Sequence, residues 1–387
     1  MPRALRLQFK ALRKSDRFAW FELRLAGVSI VLSTHSVSLS CVQGEPAMNQ
    51  KKLAETQGLV MDVQAMAQAD DIRASEDVGI YGFLREKKYV KDKDLELTSY
   101  PRTLPFPEPY QVASAVTRVP WNITNYACIL QLQGCNLSCD YCFCGKTKPK
   151  TVSALDVLEN YRSEYVDKCD RCPTPVFRIS GGEPFLQQEF LSAIISTMYT
   201  TDLSGDCFHG SRGLYFWVDT NLTIAPSDEL LDILSGENIG VCGCFKPGLP
   251  GPLFKAQYTN ASALINAGVD TYFYYPCSLT ETEKNEIESH KWAYLWDDYA
   301  ERWQAEFTYH LNLASSAIGK FYPCRVHPIK IRYDYGTVGG SQRWSEISAI
   351  KQTSLFAVLE EYIYDNLGGM YHWLPDYQVD IVKGARA

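Results

Sequence analysis

Three cysteines within one short stretch constrain this chain more than any other feature. They are Cys135, Cys139 and Cys142 in Gly134-Cys135-Asn136-Leu137-Ser138-Cys139-Asp140-Tyr141-Cys142-Phe143, spaced C-x3-C-x2-C. Thiols this close do not all fit the buried face of one strand or helix. They belong to a short loop that wraps one small inorganic object. Cysteine thiolates hold iron–sulfur clusters, and a cubane with three protein ligands keeps its fourth iron open. Taken alone, the cysteines also allow a zinc knot or a closed ferredoxin-type cluster. The stretch before them, Ala127–Gln133, is short, apolar and ended by Gly134, which reads as a buried strand.

Around the loop the chain alternates. Strands are expected at Ala127–Gln133, Pro175–Ile179, Gly213–Asp219, Ile239–Phe245 and Asp270–Tyr275, and a sixth within Glu306–Leu313. Helices are expected from Ser153, an N-cap with Asp156 three residues on, to about Cys169, and over Gln187–Met198, Ser227–Leu234, Ala256–Ala267 and Thr282–Trp303. Strands alternating with helices argue for parallel β/α units in an α/β fold. Upstream, Asn49–Ala69 reads as a polar helix, and the Pro-rich stretch from Tyr100 to Pro109 as an extended connector. Downstream, Ile329–Tyr335 alternates like a half-buried strand. Leu355, Val358, Leu359, Tyr362 and Ile363 form a helical stripe ended by Gly368-Gly369, so this part reads as a cap.

The domain reading is therefore 1–47, 48–120 as an N-terminal extension and linker, 121–315 as the β/α body, and 316–387 as the C-terminal cap. Residues 1–47 carry seven Lys/Arg against three Asp/Glu. They are read as a mis-called start, with Met48 the initiator, or as a targeting segment.

A second motif sharpens the first. Ser180-Gly181-Gly182-Glu183-Pro184 stands at the end of the second expected strand, 39 residues from Cys142 to Gly181. With the cysteines and with Tyr141 before the third of them, it resembles the radical S-adenosylmethionine (SAM) superfamily. In motif style it is nearest to the activating enzymes of glycyl-radical enzymes such as pyruvate formate-lyase. The resemblance covers roughly residues 121–315. It implies a partial (β/α)6 TIM-type barrel and a 4Fe-4S cluster on Cys135, Cys139 and Cys142, whose open iron takes the amino and carboxylate groups of SAM. It further implies a 5′-deoxyadenosyl radical that abstracts hydrogen from a substrate, with electrons from a donor such as flavodoxin or ferredoxin. Tyr141, Gly181, Gly182 and Glu183 become cofactor-binding candidates. Asp219-Thr220-Asn221 resembles the D-T-N element of the activases, and Lys246 stands where they often carry a lysine. That adds Asp219, Asn221 and Lys246 to the SAM-binding candidates, against the plain readings of a turn cap and a solvated strand end.

The other cysteines are ambiguous. Cys144 is a packed thiol or a fourth ligand. Cys169 and Cys172 form a C-x2-C pair, a half-site for a structural zinc or auxiliary metal. Cys242 and Cys244 share a strand face with Lys246. Cys277, at the top of strand five, is a catalytic candidate. Thirteen cysteines, several of them clustered in motif spacing, in a chain of 387 residues suit a reducing cytoplasm rather than a disulfide scaffold. A net charge of −7 does not advertise nucleic acid as a partner, and no apolar run is long enough to imply a membrane span. The competing class is a non-catalytic iron–sulfur electron-transfer or zinc-binding protein. It accounts for the cysteines but not for the Gly-Gly-Glu element or the β/α alternation. Substrate identity stays open among a protein glycyl radical, a peptide, a nucleoside and a metabolite.

Overall fold

The computed structural model describes residues 8–15, 18–25, 28–33, 36–40, 52–61, 80–81, 84–88, 112–113, 116, 126–142, 149–163, 176–200, 214–289, 296–331, 333, 342–368 and 379–385. The chain divides into two units, Met1–Lys52 with Arg386–Ala387, and Leu53–Ala385. In the first, strands β1 (Gln8–Ser15), β2 (Phe18–Leu25), β3 (Val28–Ser33) and β4 (Ser36–Ser40) form an antiparallel meander, with a register irregularity between Ala11 and Arg13.

The second unit holds a mixed sheet. Its parallel part is β8 (Tyr126–Leu132), β10 (Val176–Gly181), β11 (Tyr215–Thr220), β12 (Ile239–Cys244), β13 (Asp270–Pro276) and β14 (Val326–Ile329), side by side in chain order. Beyond β8, antiparallel strands β5 (Gln57–Met61) and β7 (Leu84–Lys88) pair with it. β6 (Ile80–Tyr81) adds to β7, and β9 (Pro149–Ser153) adds to β5. The sheet is open, with β14 and β9 at the two ends of its main path. The fold is thus mixed α/β, and a closed barrel is not seen.

Helices follow the strands: α1 (Ala154–Tyr161), α2 (Gln188–Thr200), α3 (Asp228–Leu234), α4 (Gly251–Asn266), α5 (Glu281–Ser289), α6 (Trp296–Ala317) and α7 (Gln342–Leu367). A small hairpin, β15 (Val379–Asp380) and β16 (Gly384–Ala385), ends the described chain. Side chains alternate along the strands, which divides the core in two. Leu130, Phe177, Ile179, Phe216, Val218, Val241 and Phe273 pack with residues from all seven helices. Ala127, Ile129, Val176, Tyr215, Trp217, Cys242 and Tyr272 form a second cluster that contains none of them. The helices therefore cover one face of the parallel strands. Ser153 caps α1 as its sequence suggests, in a capping box with Asp156.

Four expected elements fall differently. Of the half-buried strand expected over Ile329–Tyr335, Ile329 ends β14, while Lys330, Ile331 and Tyr333 lie in no strand, because Ile331 N–H and Tyr333 N–H donate to Ser348 and Ser345 of α7 and not to a neighbouring strand. The sixth strand is not within Glu306–Leu313, which lies inside α6, and β14 takes its place. The spacing explains it: Trp303, Phe307, His310, Leu311 and Ala314 are all buried, a 3.6-residue stripe, although aromatic content lends the stretch a strand-like look. The one long helix expected over Thr282–Trp303 corresponds to nearly all of α5, which ends at Ser289, and to the first residues of α6, which starts at Trp296. The helix expected over Asn49–Ala69 contains β5, where Gly58 lets the strand approach Phe190, whose ring a Cβ there would meet at 2.0 Å. Among the described residues no helix is long and apolar enough to cross a membrane.

Candidate functional site

The C-terminal ends of β8, β10, β11 and β12 bring the singled-out residues together. β8 leaves the sheet through Gly134, whose φ of +93° suits a residue without a side chain. The cysteine loop follows. Cys142 N–H donates to the Cys139 carbonyl at 3.1 Å, and Leu137 N–H donates to Cys135 Sγ at 3.4 Å. Cys135 and Cys142 are exposed and Cys139 is half-buried, whereas Cys128, Cys242, Cys277 and Cys324 are buried. None of these cysteines is in a disulfide.

Among the described residues no three His, Cys, Asp or Glu side chains converge on a single-ion position. A cluster asks for something else, one thiolate for each of several irons. The donor set fits that demand: three thiols outside any disulfide on one accessible loop, close enough for their charges to interact. Burial raises the Cys135 thiol, and the charges of Glu183, Cys139 and Cys142 add to that. Burial raises Cys139 as well, opposed by the Lys246 ammonium through both its charge and a hydrogen bond. Ligation needs the thiolate, so Lys246 favours the form that binds. Lys246 Nζ also lies 5.8 Å from the centre of the Tyr141 ring. The Tyr141 hydroxyl, itself raised by burial, hydrogen-bonds Cys139.

The Gly-Gly-Glu element at the end of β10 is seated on the loop itself. Gly182 N–H donates to Leu132 O, and Glu183 N–H to Gly134 O, both at 2.7 Å. Gly181 has φ +105°. A Cβ on Gly182 would stand 1.8 Å from the Gly134 carbonyl oxygen. The missing side chains thus serve the contact between two strand ends. Glu183 is fully buried. One carboxylate oxygen accepts from Phe185 N–H at 2.9 Å and Thr220 Oγ1 at 2.8 Å, the other from Asn221 N–H at 2.6 Å. Burial raises its pKa to about 7 against the pull of those donors. The side chain ties β10 to the end of β11.

Asp219 is engaged within the sheet. It accepts from Arg178 Nε and pairs with Arg178 Nη2, each at 2.8 Å, and takes Trp217 Nε1–H at 3.0 Å. Asn221 faces the loop: its Nδ2 donates to Asn136 Oδ1 at 3.0 Å and reaches Cys135 Sγ at 3.7 Å. Leu222 next to it has φ +62°, a costly backbone for a bulky residue. Two α4 side chains hold this turn. Gln257 Nε2 donates to the Asn221 and Cys244 carbonyls, and Asn260 Nδ2 donates to the Leu222 carbonyl.

Cys277 is brought to a different environment. It is fully buried, its thiol faces Tyr275 O at 3.9 Å, and burial pushes its pKa up, the opposite of an activated nucleophile. Cys144 and the pair Cys169 and Cys172 lie outside the described residues.

Several contacts at the site join residues far apart in sequence. Lys284 of α5 donates to Asp140 of the loop at 2.6 Å. Gln187 Nε2 donates to both Leu59 O and Gln133 O at 2.9 Å, clamping β5 to the root of the loop. Thr223 bonds to both Asn136 and Asn221. Asn136, Asp140 and Thr223 carry a signal in the sequence, as polar neighbours of motif residues, whereas Lys284, Gln187 and Leu59 carry none.

Residues 125–252 match the model of the 4Fe-4S single cluster domain. The match runs from the start of β8 into α4 and includes the cysteine loop, β10, β11, β12 and Lys246. No curated protein matches the chain. Among solved structures it is similar to Streptococcus suis SuiB bound to precursor peptide SuiA, with TM-score 0.29 and 13% identity over 41% of this chain and 35% of that one. It is also similar to SuiB bound to S-adenosylmethionine, with TM-score 0.27 and 11% identity over 73% of this chain and 60% of that one. The chain thus spans about a third of the first of these structures and three fifths of the second.

Proposed function

We propose that this chain is a radical SAM enzyme, with Cys135, Cys139 and Cys142 holding three irons of a 4Fe-4S cluster. The observation that carries the reading is the accessible C-x3-C-x2-C loop inside the 4Fe-4S domain match, with a Gly-Gly-Glu strand end hydrogen-bonded to its backbone. When bound and reduced, such a cluster supplies the electron that cleaves SAM to a 5′-deoxyadenosyl radical, and the radical takes hydrogen from the substrate. The protein's part is binding, orientation and electrostatics. Lys246 offers a cation beside the loop for the SAM carboxylate. Tyr141, whose ring centre lies 5.8 Å from Lys246 Nζ, and the backbone of Gly181 and Gly182 are the further SAM-binding candidates. Asp219 and Glu183 already satisfy internal donors, so their contribution is to hold the strand ends. Six parallel strands in chain order, with helices on one face, support a partial (β/α)6 barrel. The reading also calls for a reducing compartment and a low-potential electron donor of the flavodoxin or ferredoxin kind.

The test is anaerobic reconstitution. The wild type is expected to bind iron and sulfide, to change its spectrum when SAM is added, and to release 5′-deoxyadenosine slowly with reductant. The Cys135→Ala/Cys139→Ala/Cys142→Ala variant is expected to lose the cluster absorption, and full iron retention there overturns the ligand assignment. An intact cluster that neither responds to SAM nor yields 5′-deoxyadenosine over many hours points to the electron-transfer reading.

A further inference from the structure

Asn221, Asn136 and Thr223 close a ring of hydrogen bonds beside Cys135. Asn221 Nδ2 donates to Asn136 Oδ1 at 3.0 Å, Asn136 Nδ2 donates to Thr223 Oγ1 at 2.7 Å, and Thr223 Oγ1 donates to Asn221 Oδ1 at 2.5 Å. Each member gives and receives once around the ring, an arrangement in which the bonds polarise and strengthen one another. The ring also decides which way the Asn221 amide points. Thr223 N–H, which can only donate, meets the Asn221 side chain at 2.9 Å, so the atom facing it is the oxygen Oδ1. The nitrogen is therefore turned to the loop, where its N–H groups reach Asn136 and the sulfur of Cys135 at 3.7 Å. Thr223 is buried, and Asn221 stands on the turn held by Gln257 and Asn260 from α4.

We propose that Asn221 is a positioning residue for the cluster, an N–H donor to the Cys135 thiolate whose orientation is fixed by Thr223 and Asn136 and which sets the cluster's reduction potential. The proposal rests on Cys135 being a cluster ligand. Hydrogen bonds to ligating sulfur withdraw charge and favour the reduced state, and they are among the main controls of cluster potential. Leu137 N–H supplies a local donor to the same sulfur. Asn221 is the donor that comes from another strand, so it couples the potential to the packing of β11 against the loop. It also gives Asn221 a task distinct from contacting SAM.

The experiment is a redox titration followed by electron paramagnetic resonance, on full-length reconstituted protein without SAM. It compares wild type with Asn221→Leu, Thr223→Val and Thr223→Ser. Asn221→Leu keeps the size and removes the donor. Thr223→Val keeps the shape and removes the hydroxyl that completes the ring. Thr223→Ser keeps the hydroxyl. At fixed solution potential, the reduced-to-oxidised ratio is expected to fall about three- to tenfold in Asn221→Leu, less in Thr223→Val, and not at all in Thr223→Ser. Equal potentials in wild type and Asn221→Leu, both with full iron content, overturn the proposal. So does an unchanged potential in this titration together with weaker SAM binding in a separate calorimetric titration of the same variant, which makes Asn221 a SAM contact. Should Asn221→Leu fail to hold iron, Thr223→Val decides: a potential equal to that of Thr223→Ser refutes the ring's role. A wild type that binds no cluster is a different failure, that of the function reading itself.

Discussion

Replacing Gly182 with Ala tests the packing on which the site depends. The added Cβ would stand 1.8 Å from the Gly134 oxygen, 2.6 Å from the Gly134 carbonyl carbon and 3.0 Å from the Gly134 nitrogen. All three are backbone atoms, so no side chain can swing away. The strand end and the root of the loop must separate until the closest contact exceeds 3.0 Å. That movement takes Gly182 N–H from Leu132 O and Glu183 N–H from Gly134 O, both now at 2.7 Å. Each buried hydrogen bond contributes about 0.5–1.5 kcal/mol net. The pair accounts for about 1–3 kcal/mol, and the strain of an overpacked site adds about 1 kcal/mol or more. The expected loss is thus about 2–4 kcal/mol, read as a lower midpoint in urea with an unchanged slope. Iron bound after reconstitution should fall as well, because the displaced residues carry the first ligand. Gly251→Ala is the control: a Cβ at that position meets nothing within 4 Å, so stability should stay within about 0.5 kcal/mol of wild type. A Gly182→Ala protein with the control's midpoint and full iron content would refute the reasoning.

The remaining predictions are independent of one another. Burial holds the Glu183 pKa at about 7 in the folded state against an ordinary value of 4.5, so its neutral form favours folding. That contribution is complete below pH 4.5 and lost as pH rises through about 7. The stability of wild type relative to Glu183→Gln should therefore decline by about 2–3 kcal/mol from about pH 5 to about pH 8, and a gap that is flat with pH contradicts this. Lys351 and Glu283 form a buried ion pair at 3.2 Å, which joins α7 to α5. Burial alone would raise Glu283, but the charge of Lys351 and the hydrogen bonds outweigh it and hold the carboxyl below its usual range. Lys351→Met should cost about 3–5 kcal/mol by stranding that charge, with most of it recovered in the Lys351→Met/Glu283→Gln double variant on denaturant titration. Asp219→Asn should lower stability by about 1–2 kcal/mol through its contact with half-buried Arg178, with little change in calorimetric SAM affinity. Lys246→Ala should do the reverse.

Sequence patterns match the structure where the physics is local. The cysteine spacing needs only a few consecutive residues on one loop. The end of β8 at Gly134 and the Ser153–Asp156 cap are likewise written in neighbouring positions. The parallel strands from β8 to β13 follow from apolar runs separated by helical stretches. Glu306–Leu313 misleads because aromatic and branched side chains suit strand and helix alike in a short window. The longer register from Trp303 to Ala314 is helical. Gly181 and Gly182 are recognisable as special, but no sequence pattern says against what their backbone closes.

What the tertiary structure decided is partnership. Asp140 and Lys284 are 144 residues apart, Leu59 and Gln187 are 128 apart, and Asn136 and Thr223 are 87 apart. No periodicity links such positions. A repeat of about 2 or 3.6 residues encodes which way a side chain faces, not which distant group it will meet. Asp219 and Glu183 show the consequence. In the sequence both are polar residues at strand ends, open to a ligand. In the fold one is taken by Arg178 and Trp217, and the other by Phe185, Thr220 and Asn221. Buried polar groups must find partners, and only the packed arrangement of β8, β10 and β11 determines whether those partners are the protein's own. The identity of the three thiols belongs to the sequence; the amide aimed at Cys135 belongs to the fold.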